Sequence, residues 1–245
     1  MKIGTPYRYA RNLLKPLVDD VSIRRKRRKY RANAHPGRLD ADWKATNYNR
    51  VSTVNILCSD HVDPSYLEIG CFNNDLFDAV TAKKKIGVDP VSGGTIRATS
   101  DDFFKTNQEK FDVVFVDGLH EYEQVRRDVI NSLNCLNPGG WIAIHDMIPG
   151  NWLEEHTPVI NGAWTGDVWK LGFELAEASG IDFMILKIDH GVGVIKLTDA
   201  NPSVPDRRNE LRDHRFSYLY DHSSKLPLMD WSEGRLWMEA RFTRR

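Results

Sequence analysis

From about Tyr66 onward, short apolar runs alternate with amphipathic stretches, the βα pattern of a parallel sheet covered by helices. The first run is Tyr66-Leu67-Glu68-Ile69-Gly70. It is followed by a helical pattern with Leu76, Phe77 and Val80 on one face. The second run, Lys85 to Asp89, stops at Pro90, and a weak third is Thr95 to Thr99. Ser100 then reads as the N-cap of a helix that opens with Asp101 and Asp102. The fourth run, Phe111 to Asp117, is continuously apolar over Val113–Val116, as a strand buried on both faces must be. The pattern then predicts a helix over Glu121–Leu136, a turn at Asn137-Pro138-Gly139-Gly140, and a strand over Trp141–Ile144. A further helix is predicted over 164–179, with Trp164, Val168, Leu171, Leu175 and Ala178 on one face and Gly180 closing it. Runs 183–188 and 192–197 flank Asp189-His190-Gly191, a hairpin with glycine at a positive φ. A helix from Asp206 to Tyr220 completes the prediction.

This organisation divides the chain into three parts: a basic extension over 1–50 with helical pieces, an α/β domain over 51–200, and a C-terminal extension over 201–245 packed on the domain or on a partner. A chain of 245 residues with 41% hydrophobic content can bury one sizeable core. With a mean hydropathy of −0.48 and no apolar run of membrane-spanning length, no transmembrane segment is expected. The N-terminus has no apolar secretory core, so the expected location is cytoplasmic. Cys58, Cys71 and Cys135 are odd in number and widely spaced, which predicts reduced thiols rather than a disulfide framework or a zinc knuckle.

The formal net charge is zero, but the charge is unevenly distributed. Residues 1–50 carry 14 Lys/Arg against 4 Asp/Glu, and the excess peaks over Arg24–Arg31. Such a block repels itself unless it is solvated or matched by anions, so an anionic partner for Arg24–Arg31 is one expectation. A neutral total argues against a whole-surface nucleic-acid binder.

The candidate chemistry lies at the strand ends. Gly70, after the first strand, allows close approach of a ligand to the backbone. Asn74 stands where a further glycine is common, and Asn tolerates the left-handed region. Asp89 ends the second strand about 20 residues after the first turn, where a carboxylate can accept both hydroxyls of a ribose. Asp117, His120, His145 and Asp146 come from two neighbouring strand ends, where α/β sheets place ligands.

Taken in order, Tyr66-Leu67-Glu68-Ile69-Gly70-Cys71, Ile86-Gly87-Val88-Asp89-Pro90, Phe111 to Gly118, and Leu136-Asn137-Pro138-Gly139-Gly140 resemble class I S-adenosylmethionine-dependent methyltransferases. The segment Asp117-Gly118-Leu119-His120-Glu121-Tyr122, with His145-Asp146, is most similar to the small-molecule O-methyltransferases that include the macrocin-type sugar enzymes. The resemblance covers roughly residues 60–200. It implies a Rossmann-like, seven-stranded, mostly parallel sheet with helices on both faces and a terminal antiparallel hairpin. It implies S-adenosyl-L-methionine as cofactor, held by Glu68, Gly70, Cys71, Asn73, Asp89, Asp101, Asp102, Phe103 and Asp117, with Asp89 on the ribose and Asp101–Phe103 near the adenine. Phe72-Asn73-Asn74 departs from the family's glycine-rich loop.

Methyl transfer to oxygen needs a placed hydroxyl and a base. His120 or His145, oriented by Asp117 or Asp146, are the candidates, with His120, His145 and Asp117 as the catalytic set. Related enzymes hold Mg2+ on strand-end carboxylates. Asp117 and Asp146 match two such positions, and the third is occupied here by His145 or Met147. Trp152, Trp164 and Trp169, with His156 and Asp167, fall where this superfamily builds its acceptor loop. The implied activity is O-methylation of a sugar, glycan or small hydroxylated metabolite by an enzyme able to form homo-oligomers. The alternatives are an RNA ribose methyltransferase guided by the basic arm and a non-catalytic binding module. Asp117-Gly118-Leu119-His120 lacks the Asn/Asp-Pro-Pro-aromatic sequence of amino-group methyltransferases.

Overall fold

The computed structural model describes residues 21–39, 46–160 and 162–243. Of the basic extension, residues 1–20 and 40–45 lie outside the described residues. Seven strands form one sheet: β1 (Ser65–Ile69), β2 (Lys84–Val88), β3 (Phe111–Val116), β4 (Leu136–Ile144), β5 (Ile181–Leu186), β6 (Val192–Leu197) and β7 (Leu228–Met229). Their order is β2-β1-β3-β4-β6-β5-β7. β6 runs antiparallel to both of its neighbours and the remaining pairings are parallel. This is the α/β fold with a reversed hairpin that the sequence predicts.

The seventh strand is not the one expected. Residues 95–99 do not form a strand and make only the isolated bridge Val88↔Ile96. Gly93 and Gly94 both sit at positive φ and fold the chain back at once, so Thr95 and Ile96 both donate their N–H to the Gly87 carbonyl. The sheet's seventh member is β7, from the C-terminal extension. It is two residues long and lies beside β5.

The helices are α1 (Arg50–Ser59), α2 (Asp75–Ala79), α3 (Ser100–Thr106), α4 (Tyr122–Asn134), α5 (Trp152–Glu155), α6 (Trp169–Leu175), α7 (Arg208–Leu211), α8 (Phe216–His222) and α9 (Trp231–Glu239). Residues 21–29 are also helical. Thr99, not Ser100, caps α3: its Oγ1 accepts from Asp102 N–H at 3.1 Å. The helix expected over 164–179 shrinks to α6, because Gly166 at φ +63° takes residues 164–166 into a turn against His120. The tail helix splits into α7 and α8, and Lys170 Nζ donates to the Arg212 carbonyl at the break. The Asn137–Gly140 turn is instead a bulge within β4: Phe111 faces Leu136 but Val113 already faces Trp141.

Apolar clusters lie on both faces of the sheet, one around Leu67, Val114, Ile142 and Trp169, the other around Val54, Tyr66, Phe115 and Trp141. On the second face a carboxylate is fully enclosed. Asp60, which closes α1, accepts from Trp141 Nε1 (3.0 Å), Lys196 Nζ (2.8 Å) and Thr243 N–H (2.7 Å). A buried carboxylate is tolerated only with such a set of donors. The three cysteines are buried and free.

Candidate active site

The carboxyl ends of β1, β2, β3 and β4 open into one cavity of about 1030 Å³, large enough for a nucleoside cofactor and a small acceptor together. At the β1 and β2 ends, the β1 turn brings Gly70 against β3. A Cβ on Gly70 would stand 2.1 Å from the Asp117 carbonyl oxygen, and its φ is +88°. Glycine is therefore demanded first by strand packing. Asn74 takes the left-handed conformation the sequence reading allows it, φ +66°, and its Oδ1 accepts from Gly94 N–H at 2.7 Å.

Asp89 ties the two turns together. Oδ2 accepts from the N–H groups of Cys71 (3.1 Å) and Phe72 (3.0 Å), and Oδ1 from those of Val91 (2.7 Å) and Ser92 (2.8 Å). These backbone donors hold its carboxyl below its ordinary range although burial opposes them. All four of its favoured acceptor positions are thus filled by the chain itself. Glu68 accepts from Tyr66 Oη at 2.5 Å. Burial pushes Glu68 up to about 7; the Tyr66 hydroxyl pulls the other way, and Asp117 adds to the rise.

The structure brings Glu68, Gly70, Cys71, Asn73, Asp89, Asp101 and Asp117 to this cavity. Asp102 and Phe103 are not there. Asp102 turns outward to Thr99 and Lys105, and Phe103 is buried in the core, because α3 presents only its first turn, Ser100 and Asp101, to the cavity. Gln124 of α4 joins that turn, donating to Ser100 Oγ at 3.1 Å.

At the β3 and β4 ends, four predicted residues converge. His120 Nδ1 lies 2.9 Å from Asp146 and 3.0 Å from the Trp164 carbonyl, and its Nε2 lies 3.3 Å from Asp117. His145 Nδ1 lies 3.2 Å from Asp117 and 3.3 Å from Asp146. Asp146 is turned into this cluster by a positive φ of 59°, a conformation Asp enters more readily than most residues. Burial alone would lower both imidazoles, but the two carboxylates more than offset it. They raise His120 to about 10 and His145 well above its ordinary value. Asp117 is held down chiefly by His145 and His120 against the effect of its burial.

Two residues of this cluster were not read from the sequence. Arg50, the first residue of α1, reaches Asp189 Oδ2 (2.8 Å) and His145 Nε2 (3.1 Å) through Nη1. Asp189 also accepts from the Arg50 N–H at 3.1 Å and lies 3.5 Å from His145 Nε2. Asp189 reads in sequence as a hairpin residue, and only the pairing of β4 with β6 carries that hairpin to the β4 end. Arg50 follows Asn49, whose side chain caps α1, so the cap was the available signal.

The acceptor tryptophans behave differently from the expectation. Trp169 is fully buried in the core, and Trp152 packs against the core and against His156. Trp164 stacks on His120, with ring centroids 5.3 Å apart, behind the cavity wall. None of the three lines the cavity; from this segment Gly162 does. Asp167 caps α4 by accepting from Tyr122 N–H at 2.7 Å, and His156 meets Asn33 of the extension at 3.1 Å. Met147 is a core residue with no exposure and cannot be a ligand. Among the described residues, the group able to hold a cation is Asp117, His120 and Asp146, whose ligand atoms lie within 4.8 Å of one another.

Residues 44–147 match a family described as a methyltransferase domain. No curated protein matches the chain. Among solved structures it is similar to the O-methyltransferase TomG from Streptomyces achromogenes, involved in tomaymycin synthesis, in complex with SAM (15% identity, 56% of this chain and 74% of that one, TM-score 0.42). It is also similar to the O-methyltransferase from Bacillus cereus in complex with SAH (12%, 64% and 84%, 0.45). An rRNA methylase from Streptococcus thermophilus is similar to the same degree (12%, 63% and 99%, 0.45).

Proposed function

We propose, from the premise that this chain is a class I S-adenosylmethionine-dependent methyltransferase, that it methylates a hydroxyl group of a sugar, glycan or related small metabolite. The observation that carries the reading is a single cavity holding Glu68, Gly70 and Asp89 at one end and the Asp117–His120–His145–Asp146 cluster at the other. S-adenosylmethionine held by the first group would supply a sulfonium methyl to an acceptor beside the second.

His120 is the proton acceptor in this reading. Asp146 and the Trp164 carbonyl both take the Nδ1 proton, which fixes the ring and leaves Nε2 for the acceptor. The longer Nε2 contact, to Asp117 at 3.3 Å, is the place where the hydroxyl enters. That entry separates the ring from one of the two charges that keep it protonated, so the Nε2 proton is released to solvent as the acceptor binds. Transfer would form the O–CH3 bond as the S–CH3 bond of the bound sulfonium breaks to leave a neutral thioether, with the hydroxyl proton passing to Nε2. His145, Arg50 and Asp189 are positioning residues that hold Asp117 and Asp146 in place.

A second reading rests on the close approach of Asp117, His120 and Asp146. Two carboxylates and one imidazole suit a divalent cation that accepts a nitrogen ligand. Mg2+ would need water or acceptor oxygens to complete its shell. When bound, such a cation would lower the pKa of the acceptor hydroxyl.

Calorimetric titration with S-adenosylmethionine and S-adenosylhomocysteine, with and without Mg2+ or Mn2+, tests the premise. Methyl transfer to hydroxylated acceptors, followed by mass spectrometry, tests the reaction. Micromolar cofactor binding and a mass gain of one methylene on oxygen are expected. Methylation on nitrogen, or folded protein that binds neither compound, would overturn the reading. Loss of transfer in chelator, restored by a divalent cation, would favour the second account over the metal-free base.

A further inference from the structure

The helix over 21–29 and the turn that follows it carry Arg24, Arg25, Lys26, Arg27, Arg28, Lys29 and Arg31, all exposed, and residues 21–39 contain no Asp or Glu. Among the described residues, Arg25, Lys26, Arg27, Arg28, Lys29 and Arg31 have no carboxylate partner. Arg25 with Lys29 is a like-charge pair one turn apart, an arrangement that destabilises a helix unless anions relieve it. The arm is nevertheless pinned beside the active site. Lys26 Nζ donates to the Val159 carbonyl at 3.1 Å, Tyr30 packs on His156 with ring centroids 4.3 Å apart, and Leu39 N–H donates to the Gly150 carbonyl at 2.9 Å. Three residues beyond Val159, Gly162 lines the cavity.

We propose that the arm docks the enzyme on an anionic phospholipid surface, so that the cavity receives its hydroxyl acceptor from a membrane-associated molecule. The identity of the acceptor rests on the methyltransferase reading; the docking does not. Charge complementarity selects the partner, since the arm's uncompensated cations face the anionic headgroups that draw basic segments to a bilayer. Exposed apolar side chains accompany them: Val21 is 66% exposed, Val159 36%, and Leu119, on the cavity rim, 49%. Among the described residues 21–39 the rings are Tyr30, engaged by His156, and His35, engaged by Phe216 and Tyr220, so this segment offers no free stacking platform of the kind single-stranded RNA requires. Among the described residues no helix is long and apolar enough to cross a membrane, so the attachment is peripheral.

Co-sedimentation of the full chain with vesicles of phosphatidylcholine, with and without phosphatidylglycerol, tests the proposal. Binding is expected only with phosphatidylglycerol and should fall steeply with salt. Replacing Arg25, Arg27, Arg28 and Arg31 together with Gln should weaken it by on the order of 100-fold or more, with the melting temperature and cofactor affinity unchanged. Absence of phosphatidylglycerol-dependent binding, or full binding by the quadruple variant, would overturn the proposal. So would arm-dependent binding of single-stranded RNA in preference to vesicles. The cofactor titration reads the methyltransferase premise on the same preparation. Arm-dependent vesicle binding without cofactor binding leaves the docking standing and removes the premise.

Discussion

The two ends of the cavity are built in different ways. At the cofactor end, the key contacts join residues close in sequence: Asp89 holds the turns at Cys71–Phe72 and Val91–Ser92, and Asn74 holds Gly94. At the proposed acceptor end, Arg50, Asp117 with His120, Asp146, Trp164 and Asp189 are drawn from five separate stretches of the chain. The first end is a short-range backbone device. The second depends on the whole sheet, on the reversed hairpin and on α1. Damage at one end should therefore leave the other measurable.

The largest effect should come from Gly166→Ala. A Cβ there would stand 1.7 Å from the His120 carbonyl oxygen, at a φ of +63°. Methyl transfer should fall by roughly 1000-fold, the scale of losing a general base, while cofactor affinity stays within about threefold. A matching loss of cofactor binding would show that the two ends are one unit.

Glu155, in α5 beneath the acceptor segment, should give the next largest effect, on stability. Burial pushes its carboxyl up to about 7, with Arg215 opposing and Asp167 adding to the rise. Among the described residues its Oε1 meets no hydrogen-bond donor in good geometry. The folded value lies above the unfolded one, near 4.5, so folding takes up a proton in the range between them. The penalty is absent below about 4.5 and complete above about 7. Glu155→Gln should raise stability at pH 8 by at most about 3 kcal/mol and flatten the change between pH 4.5 and 7, read by chemical denaturation. A destabilised variant would show that the charged form is the one the fold needs.

Asp89→Ala strips four backbone donors of their acceptor. The cofactor dissociation constant should rise by about 1.5–3 kcal/mol, with a lower melting temperature and little change in acceptor affinity. An unchanged cofactor affinity with a lower melting temperature would make Asp89 a clamp only. The smallest expected effect is that of Asp189→Asn, which keeps the shape but removes the charge opposite Arg50. Turnover should drop by about tenfold with cofactor affinity unchanged, as for a single positioning contact. A loss confined to cofactor binding would place Arg50 and Asp189 at the other end.

The same contrast explains what the sequence could tell. The turns of the proposed cofactor end are legible because short apolar runs, each closed by Gly70 or by Asp89-Pro90, locate them at a fixed spacing. Even there, the helical phase of α3 decided which of Asp101, Asp102 and Phe103 face the cavity, and propensity does not fix phase in so short a helix. The acceptor end was legible only as residue types. Asp117, His120, His145 and Asp146 stood out because they sit at strand ends. Trp152, Trp164 and Trp169 were misassigned because an aromatic in a loop looks the same whether it faces a ligand or a core. Arg50 and Asp189 needed the β4–β6 pairing to be known first. β7 was unreadable because two residues give no period, and it forms on a template that β5 provides.

Asp60 imposes an order of events on biosynthesis. Its carboxylate is enclosed with Trp141, Lys196 and Thr243, and the last of these is translated some 180 residues after the acid itself. While the nascent chain is still being extended, α1 can be made and the early strands can pair, but the charge at the foot of that helix has no complete set of donors. Because the other end of α1 carries Arg50, residues translated long after the helix help to anchor the element that reaches His145 and Asp189.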